Sequence, residues 1–210
     1  MSKILHLQAS PRGERSKSIA VATAFLDVYR DGHPDDDVET LDLFETELIA
    51  FDGLALRGKY AILHGQEHTD EEAAAWRTVE ALADHFKSAD KYVLAVPMWN
   101  FGIPYRLKHY IDILVQPTLT FNYTPEEGYT GLVTGRRAFV AYARGGEYPE
   151  GTEAESFDFQ KKHLDTILGF IGITDVQSVV VQPTLMGGPD VAQEKLDAAI
   201  EQATQIAADF

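Results

Sequence analysis

Cysteine is absent from the 210 residues, so the chain can form no disulfide and offers no thiolate chemistry, although that absence fixes no compartment. No apolar run approaches the ~18 residues that would suggest a membrane helix. The opening Met1-Ser2-Lys3-Ile4-Leu5-His6-Leu7-Gln8 turns polar too soon to be a secretory signal, so a cytoplasmic protein with no membrane partner is expected. Basic residues are scarce: 18 Lys and Arg stand against 33 Asp and Glu, a formal charge of −15. Such a field favours solubility and repels nucleic acid and anionic lipid. It also works against an anionic cofactor, so any phosphate site must rely on short-range N–H and hydroxyl donors, with Arg12, Arg15 or Lys17 nearby.

Familiar signatures are missing as well. No Gly-x-x-x-x-Gly-Lys-Ser/Thr loop and no Gly-x-Gly-x-x-Gly follows a strand-like run, which disfavours nucleoside triphosphates and the usual dinucleotide fingerprint. Without a Gly-x-Ser-x-Gly elbow there is no visible serine nucleophile. His64 and His68 have the i, i+4 spacing of zinc ligands, but Gly65 stands at the zincin Glu position and no third ligand is near, so no metal is expected.

What is present alternates. Ile4 to Gln8, Val38 to Leu43, Tyr92 to Val96, Ala138 to Ala143 and Val176 to Val181 are short β-branched or apolar runs bounded by turn residues, and they read as five strands. Between them lie helical patterns. Ile19, Ala22, Phe25, Leu26 and Tyr29 share one face, as do Leu107, Tyr110, Ile111 and Leu114, and likewise Phe157, Leu164, Ile167, Leu168 and Ile171. Thr69 and Glu72 make a capping-box pattern ahead of Trp76, Val79, Leu82, Ala83 and Phe86. Pro189 suits the first turn of a last helix through Val191, Leu196, Ile200 and Ile206. Strands alternating with helices imply right-handed crossovers and a three-layer, doubly wound α/β fold with a five-stranded parallel sheet of order 2-1-3-4-5. No repeat or linker interrupts residues 1–210, so one domain is expected, and the long stretch from Gln116 to Gly135 should form a hairpin edging the site.

In that order the crevice opens at the carboxyl ends of strands one and three. Ser10 to Ser18 leave the first, rich in hydroxyls and ending at a helix start where the dipole favours an anion; the alternative is that Ser16 or Ser18 serves only as a cap. Pro97, Met98, Trp99, Asn100 and Phe101 leave the third and join main-chain donors to ring surface, as a flat heteroaromatic ligand requires, although a Trp there also suits a core. Arg144, Gly145 and Gly146 end the fourth strand, where the glycines let backbone N–H groups approach a ligand closely or simply make a turn.

The two loops around Ser10–Ser18 and Pro97–Phe101 are joined in the expected order by Leu107-Lys108-His109-Tyr110-Ile111-Asp112, Thr120-Phe121-Asn122-Tyr123-Thr124, Gly131-Leu132-Val133-Thr134-Gly135, Arg144-Gly145-Gly146 and Leu168-Gly169-Phe170-Ile171-Gly172-Ile173. Together these blocks resemble the FMN-dependent NADH-azoreductase (NAD(P)H:quinone oxidoreductase) family of flavodoxin-like proteins from end to end. The resemblance implies an FMN site from Ser10, Ser16, Lys17, Ser18, Pro97, Met98, Trp99, Asn100, Phe101, Ala143, Arg144, Gly145 and Gly146. It implies an acceptor site with Tyr123, Tyr148 and Phe170, and NADH or NADPH as donor. Two-electron reduction of quinones and cleavage of aromatic azo bonds by a ping-pong cycle would follow, in a homodimer with its sites near the interface. Two positions depart from the family pattern: Trp99 stands where Tyr is common, and Ala143 where many relatives carry Ser. An FMN electron carrier acting on a protein partner is the main alternative, although its Ser/Thr-x-Thr-Gly-x-Thr phosphate loop is missing. A phosphopantetheine hydrolase finds no metal or nucleophile pattern.

Overall fold

The computed structural model describes residues 1–210. Along the chain run β1 (Lys3–Gln8), α1 (Lys17–Gly32), β2 (Asp37–Asp42), α2 (Gly53–Leu63), α3 (Asp70–Lys87), β3 (Lys91–Pro97), α4 (Tyr105–Leu114), β4 (Phe121–Thr124), β5 (Gly128–Gly131), β6 (Arg137–Ala143), α5 (Phe159–Ile171), β7 (Asp175–Val181) and α6 (Gly188–Ala208). The five expected strands pair in parallel in the order β2-β1-β3-β6-β7, and β4 and β5 form a separate antiparallel hairpin within the 116–135 excursion. No helix is long and apolar enough to cross a membrane.

Period-two alternation divides the core. Leu5, Leu7, Leu94, Val140 and Tyr142 face one layer with α4 and α5, while Ile4, Val93, Phe139 and Ala141 face the other with α1 and α6. Central β3 and β6 are buried on both faces, which is why they read as continuous apolar runs. Register then sets the site. Pro97 pairs with Ala143, and Ala143 with Val181, so three consecutive strands release their loops at one level.

Thr69 and Glu72 form both bonds of the capping box. Two expectations are corrected. Phe157 does not share the α5 face, because a 3₁₀ turn over Glu153–Phe157 precedes the helix and leaves this ring exposed. On α6 the buried stripe is Ala192, Leu196, Ala199, Ala203 and Ala207, with Ile200 and Ile206 at its margin: small residues let α6 lie close beside the large side chains of α1. His64 ends α2 and His68 precedes α3, so the two histidines share no helix.

Candidate functional site

β1 exits through Ala9 and Ser10 into a 3₁₀ turn, and Ser16 then caps α1. Ser16 Oγ accepts weakly from Ile19 N at 3.5 Å and lies 3.1 Å from Ser18 Oγ, while the Ser16 carbonyl takes the N–H of Ala20. The capping alternative is therefore correct for Ser16, yet it answers only part of the need. The first N–H groups of a helix have no partner within it, and those of Lys17 and Ser18 find none elsewhere in the chain. They point where the helix dipole is positive.

At the end of β3, Met98 N donates to Ala143 O at 2.8 Å, and Trp99 and Gly102 exchange backbone bonds of 2.9 and 3.0 Å. Asn100 and Phe101 close this tight turn with φ of 47° and 69°. Asn tolerates the left-handed region; Phe does not, and such a residue costs on the order of 1–3 kcal/mol. What holds Phe101 is visible. Its carbonyl accepts from Phe159 N at 3.1 Å, and its ring packs against Phe157 and Tyr148 with centroids 5.4 and 6.3 Å away.

Beyond β6 the main chain of Gly145 and Gly146 is open to a ligand: neither N–H has a partner within the chain. A Cβ on Gly145 would lie 3.0 Å from Leu185 Cδ1, so the loop after β7 closes over a position that only glycine fits without rearrangement. That loop is anchored by Thr184 N to Arg144 O at 2.8 Å and by Leu185 N to Gly145 O at 3.1 Å.

The three exits converge on one cleft of about 120 Å³, lined by Ser10, Arg12, Ser16, Lys17, Pro97, Met98, Trp99, Ala143, Gly145, Thr184 and Leu185. Eight of the expected cofactor residues are thus brought together. Thr184 and Leu185 went unread, since a Pro-Thr-Leu-Met sequence after the last strand carries no signal beyond that of a turn. Asn100, Phe101 and Gly146 lie in the loops that bound the cleft without lining it. Ser18 is buried behind Ser16.

Arg144 is placed differently. Its side chain is buried and does not line the cleft, and all three nitrogens are bonded: Nη2 to Asp158 Oδ2 at 2.7 Å, Nε to Gln160 Oε1 at 2.9 Å and Nη1 to Gln182 Oε1 at 3.3 Å. Gln160 Nε2 in turn donates to Val96 O at 2.9 Å, and Tyr148 N donates to Gln182 Oε1 at 3.3 Å.

The hairpin aromatics form a second group. Tyr123 pairs across the hairpin with Tyr129, their rings 5.0 Å apart, and Phe170 packs against Phe121 and Tyr129 at 4.8 and 5.5 Å. Phe170 lies eleven residues along α5 from Phe159, hence about 16 Å from the cleft end of that helix. Tyr123 and Phe170 therefore keep company with each other and not with the cleft of their own chain, whereas Tyr148 lies against Gly146. A larger open depression of about 500 Å³ lies between α4 and α5, lined by Gly102, Ile103, Lys108, Phe159, Lys162, His163 and Thr166. It shares no lining residue with the cleft.

A parallel sheet of this order, with anion-suited donors and aromatic surface where β1 and β3 diverge, defines the flavodoxin-like class. A family model described as a flavodoxin-like fold matches residues 2–207. An FMN-dependent NADH:quinone oxidoreductase of Nitratidesulfovibrio vulgaris is 54% identical over 210 residues, covering 100% of both chains. Among solved structures, an azoreductase from Bacillus anthracis str. Sterne superposes with a TM-score of 0.91 at 36% identity, covering 100% of each chain. An FMN-dependent NADH-azoreductase from Bacillus anthracis str. Ames Ancestor, in complex with FMN, gives 0.86 at 32% identity, covering 99% of this chain and 100% of that one. The chain belongs to the family of FMN-dependent NADH:quinone oxidoreductases.

Proposed function

We propose that residues 1–210 act as one FMN-binding unit that oxidises NADH and passes two electrons to quinones, and that reductively cleaves aromatic azo compounds, by a ping-pong cycle. One observation carries the reading: unpartnered N–H groups of Lys17, Ser18, Gly145 and Gly146 frame a single cleft at the switch point. The first pair, at the positive end of α1, would hold the phosphate, with Arg12 and Lys17 offsetting the overall charge of −15. The second pair would donate to the polar edge of the isoalloxazine, stabilising charge that develops there. The enclosed volume suits a phosphate and a short polyol, so the tricyclic ring would lie across the rim beside Trp99 and Tyr148. When bound, FMN supplies the hydride chemistry. The chain's task is to hold one ring face open, where nicotinamide and then an aromatic acceptor stack in turn. Acceptor protons come from solvent, and no side chain serves as nucleophile. The relatives are named for NADH, which supports NADH as the donor here.

Tyr123 and Phe170 would complete the acceptor site from a second copy of the chain, with Tyr148 contributed by the first. The exposed rings of Trp99, Phe101, Tyr105, Tyr123 and Tyr129 supply the apolar surface that such a homodimer would cover. A cytoplasmic location fits this activity.

Flavin affinity tests the phosphate assignment. Ser16→Ala with Ser18→Ala should weaken FMN at least tenfold, about 1.4 kcal/mol, while riboflavin loses far less. Equal losses for both ligands would remove the phosphate from this loop.

A further inference from the structure

Arg144 has the chemistry of a ligand-binding residue and the position of a structural one. Its side chain is 3% exposed, yet its three nitrogens bond to groups that belong to different loops around the cleft. Through Gln160 it reaches Val96 O, the last carbonyl before Pro97 on β3. Gln182, just past β7, connects it to the N–H of Tyr148. Through Asp158 it engages the residue that caps α5 and precedes Phe159, whose N–H holds the strained Phe101. Its own main chain begins the Gly145–Gly146 segment and accepts from Thr184. One guanidinium therefore joins three walls of the cleft; only the α1 loop lies outside its reach.

We propose that Arg144 is a positioning residue: without touching the ligand, it fixes the distance between the β3 exit and the Gly145–Gly146 donors, and so sets how strongly the site prefers reduced over oxidised flavin. The inference rests on the reading that the cleft holds FMN. Its physical basis is the planar fork of arginine, which presents donors in three directions at once; lysine keeps the charge but concentrates it at one point. Two N–H groups aimed at the ring edge stabilise the extra negative charge of the reduced state only if they are held in place beforehand. Loss of the fork leaves the donors present but free to relax toward solvent. The anion site at Lys17 and Ser18 is independent of this network, so phosphate recognition should survive.

Arg144→Lys keeps a cation opposite Asp158 and so avoids leaving a buried charge without its partner. Gln160→Leu cuts the link from Arg144 to Val96 without adding or removing a charge, and it decides the matter if Arg144→Lys fails to fold. For each variant the two-electron midpoint potential of the bound flavin is measured together with the riboflavin affinity of the flavin-free protein and its thermal unfolding. Both variants should show about a tenfold loss in preference for the reduced flavin, a downward shift of about 30 mV, and riboflavin binding weakened several-fold. The Ser16 and Ser18 variant should instead lose FMN affinity with the reduced-to-oxidised preference intact. Folded variants with wild-type potential and riboflavin affinity would overturn the proposal whether or not unfolding temperature falls, and Arg144 would then be a stability residue alone. An effect in Arg144→Lys with none in Gln160→Leu would also overturn it, since the link between walls would not matter. Failure of the unmodified chain to bind FMN would overturn the earlier reading, and that is seen before any variant is made.

Discussion

His6 shows how one side chain can govern behaviour that the site does not. It lies within β1, 3% exposed; Nδ1 is 3.3 Å from Thr40 Oγ1, and Nε2 has no partner. Burial, and secondarily the charge of Arg30, lowers its pKa from 6.5 to about 4. The folded chain thus keeps the ring neutral where the unfolded chain would take up a proton. Stability from this source is complete above pH 6.5 and is lost as pH falls toward 4, amounting to about 3 kcal/mol in all and about 2 kcal/mol by pH 5. His6→Val preserves the strand preference and removes the titration. Denaturant unfolding at pH 7 and pH 5 should therefore show a smaller acid loss in the variant, by about 2 kcal/mol; equal losses would mean that His6 is protonated without penalty.

The β4–β5 hairpin depends on a close approach at the level of whole elements. Gly131, the last residue of β5, passes the end of α5 so tightly that an added Cβ would lie 2.3 Å from Gly172 N, and Val133 N donates to Ile171 O at 2.8 Å just beyond. Gly172 itself needs φ of 107° to end the helix there. Backbone on both sides of the contact cannot yield as a flexible side chain would. Gly131→Ala should cost about 1–3 kcal/mol, read in thermal unfolding as a fall of several degrees, with FMN affinity little changed because the cleft lies at the other end of α5. A wild-type unfolding temperature would show that the hairpin is loosely attached.

The same contact marks the limit of what pattern could reveal. Strands β1, β3 and β6 were legible because burial on both faces makes them uniformly apolar, and the position of the crevice followed from their order. Helix α2 was not, since Gly53–Leu63 mixes exposed Tyr60, Ile62 and Leu63 with buried Ala55, Gly58 and Ala61 and so inverts the usual face. Thr184 and Leu185 escaped because their membership of the site depends on the register of β7 with β6. Arg144 was read as part of the site, but its burial away from the cleft lining depends on Asp158, Gln160 and Gln182, at 14 to 38 residues' separation.

For the molecule as a whole, the distribution of aromatic rings is the open question. Trp99 lines the cleft, with Tyr105 beside it and Tyr148 beside Phe101, while Tyr123, Tyr129 and Phe170 gather near the far end of α5, about 16 Å away along the helix. A two-fold axis can resolve this separation, because an isologous contact brings the far group of each chain to the near group of its partner twice over. Sedimentation should then give about 47 kDa, twice the 23.3 kDa of one chain. A mixture of two damaged chains gives the sharper test. One carries Ser16→Ala with Ser18→Ala and holds little FMN; the other carries Tyr123→Ala, keeps its FMN and should show a several-fold higher apparent KM for quinones. If Tyr123 serves the site of the partner subunit, each mixed dimer contains one site with both FMN and Tyr123, and mixing after mild dissociation should restore low-KM turnover to part of the population. If both contributions come from one chain, no combination restores it. Additive activity of the two variants, or full activity in a monomer at micromolar concentration, would return the acceptor site to a single chain and leave the hairpin aromatics as packing for α5.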